Sequence, residues 1–375
     1  MRVIILEDDA WIADLLRQIV HSLRPQAQIS CQVSVSAALA EWQRQSADLV
    51  ICDWNLPDGP GTRLLEQIRK QDSQIPLVMI TGRADRDSVL EVRSLRINAF
   101  ISKPFQMPKV LDCLNRLLPS ADLSFPASSS LASNFSEFLS SQAADELDMP
   151  LQAGTLDKLR ALGRQPADLR QLHNLGRDEP AITARLLAAA NSAQYSSGGE
   201  VCLSLTQALQ TLGAGTSLNI ALGLALNPAA ELEDAELQLQ AMAAYEQIQV
   251  LCQRLAELAA ACRLDPAPLH SAALLHRMGE LCVLQQAQRW RNSGHTLSLE
   301  ELSQALSGAS SEVAARLKIH WRLPNPLREL IGACYALPTI NTKREAIVMH
   351  LAASELGPQP DSAKLARLRR LAGLS

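Results

Sequence analysis

The chain changes its hydrophobic rhythm once along its length. Over residues 1–118, short apolar runs alternate with segments of helical period: RVIIL (2–6), QISCQV (28–33), DLVICD (48–53), PLVMIT (76–81) and AFIS (99–102) stand between helical stretches near 11–23, 36–45, 61–70, 85–95 and 107–118. Val and Ile occupy both parities of the runs, so both faces of these strands are expected to be covered. Five strands alternating with five helices predict an α/β, doubly wound, five-stranded parallel sheet.

The rhythm lapses in SADLSFPASSSLASNFSEFLSSQ (120–142), where serine dominates and apolar residues stand singly. This composition reads as a flexible or partly helical linker, in which Phe125, Phe135 and Phe138 could pack back on a folded neighbour. From about 146 onward Leu and Ala recur at helical spacing. The clearest segments are TARLLAAANSAQY (183–195), LSLTQALQTLG (203–213), AMAAYEQIQVLCQRLAELAAAC (241–262), PLHSAALLHRMGELCVLQQAQRW (268–290) and SSEVAARLKIHWRL (310–323). Pro and Gly at DPAP (265–268), GHT (294–296) and LPNP (323–326) punctuate them. The expected organisation is an α/β domain over 1–119, a Ser-rich linker over 120–145 and an all-helical domain over 146–375.

Composition narrows the function classes. With 47% hydrophobic residues but only 3% aromatic, Leu and Ala must fill the cores. A net charge of −4 gives no global attraction to nucleic acid or anionic lipid. The basic terminal segment KLARLRRLAGLS (364–375) is the one local exception, and the outer face of a last helix accounts for it more simply than a nucleic-acid contact. No run approaches the roughly eighteen apolar residues of a membrane span. The opening MRVIILEDD turns acidic after five residues and is not read as a signal peptide. The eight cysteines lie singly in apolar runs, without CxxC pairs, and read as buried thiols of a cytoplasmic protein.

Chemistry gathers at the predicted strand ends, where ligands of doubly wound sheets bind. LEDD (6–9) ends the first strand and CDWNLPDG (52–59) the third, so Glu7, Asp8 and Asp53 are expected to meet. Clustered carboxylates repel unless a hard cation holds them, and such an oxygen-rich site suits Mg²⁺. Thr81 and Gly82 end the fourth strand, and Lys103-Pro104 follows the fifth, adding a hydroxyl and an ammonium at the same edge.

Together, LEDD, DLVICDWNLPDGPG, MITG and FISKPF resemble the receiver domain of bacterial two-component response regulators, over residues 1 to about 118. The resemblance implies that Asp53 is the phosphoacceptor and Asp8 a direct Mg²⁺ ligand. Asn55 would add its backbone carbonyl, and Glu7 would act through water. Thr81 and Lys103 would contact the phosphoryl oxygens, with Phe100 as the aromatic switch. A sensor histidine kinase or phosphotransfer protein would supply the phosphoryl group.

The helical half resembles the HD-related output domain, HDOD, a relative of HD phosphohydrolases. The landmarks are Asp178-Glu179-Pro180, ANSA (190–193), QALQTLG (207–213) and WRLP (321–324). Where catalytic HD enzymes carry a metal-binding His-Asp pair, this chain has His276-Arg277, and the resemblance places Gln247 where an earlier His would stand. Arg cannot ligate a cation. The resemblance therefore implies a non-catalytic platform for a downstream regulatory protein, enzymes of cyclic-dinucleotide metabolism among the candidates. Two alternatives stay open at this point: residual metal-dependent phosphodiesterase activity with substitute ligands, and nucleotide or nucleic-acid sensing through the basic terminus.

Overall fold

A computed structural model of the chain describes residues 1–81, 95–103, 107–118, 133–192, 195, 201–226, 230–337, 342–357 and 361–374. The helix expected near 85–95 falls almost wholly outside these residues, as do Gly82, Pro104 and Phe125. The chain divides into two compact units, one of Met1–Phe125 with Gly215–Pro228, the other of Pro126–Ala214 with Ala229–Ser375.

In the first unit β1 (Arg2–Leu6), β2 (Gln28–Gln32), β3 (Leu49–Asp53), β4 (Leu77–Thr81) and β5 (Ala99–Ser102) form one sheet in the order β2-β1-β3-β4-β5. Every pairing is parallel. Four described helices join it: α1 (Ala10–Leu23), α2 (Val35–Arg44), α3 (Thr62–Gln71) and α4 (Met107–Leu117). The period-2 alternation of a strand sends odd and even residues to opposite faces. Val3, Ile5 and Ile51 therefore join Leu16 and Ile19 of α1 and Val110 and Leu114 of α4 in one core. Ile4, Leu6 and Cys52 join Trp42 of α2 and Leu64 and Ile68 of α3 in the other. Each fully buried aliphatic side chain contributes about 1.5–3 kcal/mol, so the central strands are fixed from both sides. β2, at the sheet edge, departs from this pattern: Cys31 is exposed. The expectation that all eight thiols are buried is corrected there. Cys52, Cys202, Cys262 and Cys282 are buried, the remaining three are half-buried, and all eight are free.

The second unit is helical. The Ser-rich stretch is helical over α5 (Phe135–Ser141), which is capped by Asn134, whose side chain accepts from Glu137 N. Phe138 packs against Trp290 with ring centroids 5.0 Å apart. Then follow α6 (Thr155–Leu162), α7 (Leu169–Gly176), α8 (Pro180–Ala190), α9 (Leu205–Leu224), α10 (Ala235–Cys262), α11 (Pro266–Leu275), α12 (Met278–Asn292), α13 (Leu299–Gly308), α14 (Ser310–His320), α15 (Asn325–Ala333), α16 (Arg344–Glu355) and α17 (Ser362–Ala372). The end of α9 is the part that clusters with the first unit, where Leu222 packs against the α1 and α4 core. The helix is broken at Gly213, whose φ of 73° and ψ of 166° are non-helical. The segment expected as one helix over 268–290 is two, α11 and α12, parted at His276-Arg277. Gly279 just beyond the break lies so close to α14 that a Cβ would stand 1.9 Å from the Ser310 carbonyl oxygen. Among the described residues no helix is long and apolar enough to cross a membrane.

Candidate functional site

The acidic site follows from strand register. Leu6 of β1 pairs with Cys52 of β3, so the residues that follow, Glu7 and Asp53, leave the sheet side by side. Glu7, Asp8 and Asp53 each place a carboxylate oxygen within 4.8 Å of the others. Glu7 is 1% exposed, Asp53 is buried and Asp8 faces solvent. On the other side Thr81 pairs with Ser102, and the Lys103 amide donates to the Thr81 carbonyl at 2.7 Å. The Lys103 ammonium is thereby aimed inward, donating to Glu7 Oε2 at 2.8 Å and Asp53 Oδ2 at 3.0 Å.

Burial drives the Glu7 carboxyl above its ordinary range; Lys103 opposes the shift and Asp53 adds to it. Burial also works against the Lys103 charge, but Glu7 and then Asp53 outweigh it, and the ammonium is held more firmly protonated than usual. Asp53 Oδ1 accepts from the Trp54 amide at 2.7 Å, which fixes the carboxylate plane with Oδ2 toward Lys103. Asn55 is exposed and opens a two-residue hairpin, Asn55–Leu56 against Gly59–Pro60. Thr81 is buried at the end of β4, while Phe100 on β5 is half-buried against the α2 and α3 core.

Two residues that support this corner were not singled out from the sequence. Asp58 accepts from the Val35 and Ser36 amides at 2.8 and 2.9 Å, pinning the hairpin to the start of α2. These backbone bonds, Ser36 first, hold its carboxyl below the usual range. Gly61 is required by close approach, since a Cβ there would stand 2.0 Å from the Asp53 carbonyl oxygen. The DGPG spacing just ahead of a helix is the one sequence signal for either.

The donor set fits a hard cation: three converging carboxylates, two of them buried and all oxygen ligands, carry more negative charge than a single ammonium offsets. The chemistry available is that of a carboxylate nucleophile flanked by a fixed cation.

In the helical unit the residues compared with the HD pair are engaged within the chain. His276 ends α11, and its Nδ1 lies 2.6 Å from the Ala273 carbonyl oxygen. Burial pushes this imidazole down to about 4. Arg277 forms an ion pair with Glu280. Gln247 is exposed on α10, and His276 is half-buried. Among the described residues, the only grouping of three or more His, Cys, Asp or Glu side chains suited to a metal is the one at Glu7, Asp8 and Asp53. Asn191, at the end of α8, donates to the Cys202 carbonyl and accepts from its amide. The basic terminal segment forms α17, in which Arg369 pairs with Glu355.

The model of the HDOD domain matches residues 149–337, more than half of the chain, and the model of the response regulator receiver domain matches residues 3–115. The chain belongs to the HDOD domain family. With a receiver domain ahead of the HDOD domain, its architecture is that of a two-component response regulator. It is similar to the response regulator protein TodT of Pseudomonas putida, 28% identical over 165 residues, which cover 43% of this chain and 70% of that protein. It is also similar to the chemotaxis protein CheY-3 of Vibrio cholerae, 25% identical over 119 residues, covering 31% of this chain and 91% of that one. Among solved structures, the non-phosphorylated HemR receiver domain from Leptospira biflexa is 27% identical with a TM-score of 0.30, covering 33% of this chain and 98% of that one. A receiver domain implies interaction with a histidine kinase or another phosphodonor.

Proposed function

We propose that Asp53 is the phosphoacceptor, and that its phosphorylation by a sensor histidine kinase or phosphotransfer protein changes the protein–protein contacts of a non-catalytic HDOD domain. The observation that carries this reading is the meeting of Glu7, Asp8 and Asp53 within 4.8 Å, with the Lys103 ammonium on two of them. An Asp53 carboxylate oxygen attacks the phosphorus of a phosphohistidine. A P–O bond forms, the P–N bond breaks and the imidazole leaves with its electron pair. The Trp54 amide keeps the carboxylate oriented through Oδ1.

Asp8, Asp53 and the Asn55 carbonyl would hold Mg²⁺, with Glu7 acting through water, and the ion would offset charge on the phosphoryl oxygens. Lys103 adds a second, permanent countercharge from the opposite strand end. Phosphorylation brings roughly 1.5 to 2 negative charges to the pocket. Thr81 would then turn toward a phosphoryl oxygen and Phe100 would repack, carrying the change to the β5 side of the domain.

Support for a non-catalytic helical domain comes from His276 and Arg277. The imidazole is neutral and engaged at Nδ1, and the neighbouring position presents a cation already paired with Glu280. The downstream partner is then a regulatory protein, with cyclic-dinucleotide enzymes the class to examine first.

Affinity capture from lysate, with and without a phosphodonor, tests the reading. The set of captured proteins should change with phosphodonor for the wild-type chain and stay constant for Asp53→Asn. The same change in both proteins would contradict it.

A further inference from the structure

The Asp178-Glu179-Pro180 landmark has no part in the chemistry at Asp53, yet it contains an unusual carboxylate. Glu179 immediately precedes α8 but does not cap it with its side chain. The side chain turns back, and Oε2 accepts from the Gln152 amide at 3.1 Å and the Thr155 hydroxyl at 2.9 Å. The residue is 2% exposed, and its second oxygen, Oε1, is buried with no hydrogen-bond partner among the described residues. A buried acceptor left unmatched carries the full cost of its lost hydration.

Pinning the 149–155 segment explains Oε2, and a glutamine could do that with its single carbonyl oxygen. It does not explain a carboxylate whose other oxygen is unmatched. Gln152, Thr155 and Glu179 all line a cavity of about 570 Å³ beside α6 and α7, large enough for a small organic ligand. The carboxamides of Gln165, Gln171 and Asn174 line it as well, offering further acceptors.

Charge indicates the class of ligand. Two carboxylates, Glu179 and Asp178, line the cavity against one ammonium, Lys158, so an anionic ligand is disfavoured. Burial pushes the Glu179 carboxyl up to about 7; the Gln152 and Thr155 hydrogen bonds lower it, Glu231 raises it and Lys158 lowers it. Tyr245 also faces Glu179, and its hydroxyl already donates to the Pro150 carbonyl. Asp178 is exposed and lies 3.5 Å from Arg177. A buried carboxylate among these neighbours gains most from a partner that brings both positive charge and N–H donors.

We propose that this cavity is a binding site for a small organic cation rich in N–H donors, a guanidinium or polyamine compound, held through Glu179. The proposal does not depend on the assignment of Asp53.

Calorimetric titration of the full-length chain with agmatine and with spermidine tests it. Saturable binding of at least one probe is expected at pH 8. For agmatine, whose charge does not change over this range, binding should be about tenfold weaker at pH 6, where a carboxyl titrating near 7 is mostly protonated. Preference for agmatine assigns the guanidinium class and preference for spermidine the polyamine class. Glu179→Gln keeps an acceptor for Gln152 and Thr155, and at pH 8 should unfold at or above the wild-type thermal midpoint while losing about tenfold in affinity together with the pH dependence. Should that variant fail to fold, Lys158→Met on the exposed side of α6 is the second measure, expected to tighten binding several-fold. Absence of saturable binding by both probes at pH 8, equal binding by Glu179→Gln, or no tightening in Lys158→Met would each overturn the proposal.

Discussion

Lys103 Nζ donates to Asp53 Oδ2 at 3.0 Å, joining the ends of two strands that are not neighbours in the sheet. The same ammonium reaches Glu7 Oε2, so one cation spans the buried part of the acidic cluster. If Lys103 offsets charge during phosphoryl transfer, Lys103→Ala should slow labelling of the chain by a small phosphodonor by roughly a hundredfold, the usual effect of removing one charge-stabilising donor. Unchanged labelling would remove Lys103 from the proposed chemistry.

Gly61 is the steric counterpart of that contact. A methyl at this position would overlap the Asp53 carbonyl oxygen and the Cys52 sulfur, so either β3 or the start of α3 must shift. Gly61→Ala is expected to destabilise the first unit by about 1–3 kcal/mol in urea unfolding. Labelling should fall further than the lost stability alone explains, because the acceptor itself moves. A variant with wild-type stability would show that the approach relaxes at no cost.

The end of the Ser-rich stretch belongs, on the evidence of Phe138 and Trp290, to the folded helical unit. Phe138 is buried on α5 and stacks near Trp290 and Phe135. Phe138→Ala should cost about 3 kcal/mol in urea unfolding. It should also raise amide exchange over 135–141 to that of an unstructured segment.

His276 gives a pH signature. Its imidazole is held near 4 by burial, below the ordinary 6.5, so the unfolded chain takes up this proton first as pH falls. The site's contribution to stability is complete above about pH 6.5 and is lost as pH falls toward 4, by up to about 1.4 kcal/mol per pH unit. Glu179, raised to about 7, acts with the opposite sign: its contribution is present below 4.5 and lost as pH rises through 7. The wild-type profile is therefore a sum, and His276→Asn isolates one part. Urea unfolding at pH 7 and pH 4.5 should show a smaller drop in the variant. An equal drop in both proteins would mean that the imidazole is not held neutral.

Much of the acidic site was legible in the sequence because it depends on local features. Runs of Val and Ile locate the strands, and carboxylates directly after Leu6 and Cys52 must emerge at one edge once the strands are parallel. The exposure of Cys31 was not legible, since an edge position is a property of strand order rather than of the run QISCQV. The break at His276-Arg277 was hidden by apolar residues on both sides. In a unit buried from several directions, periodicity does not register an interruption of two residues, and the tight approach of Gly279 to Ser310 is a tertiary fact. Glu179 was seen as part of a landmark, but its burial follows from Gln152 and Thr155 more than twenty residues away.

The central claim is that the carboxylate of Asp53 takes up phosphate in a pocket built by Glu7, Asp8 and Lys103. Incubating the full-length chain with a small phosphodonor and Mg²⁺, then mapping the modified peptide by mass spectrometry, tests it most directly. The account predicts one added phosphoryl group on the peptide containing Asp53, dependent on Mg²⁺ and absent in Asp53→Asn. Full labelling of Asp53→Asn, or a phosphoryl group on any other residue of the wild-type chain with Asp53 unmodified, would contradict it.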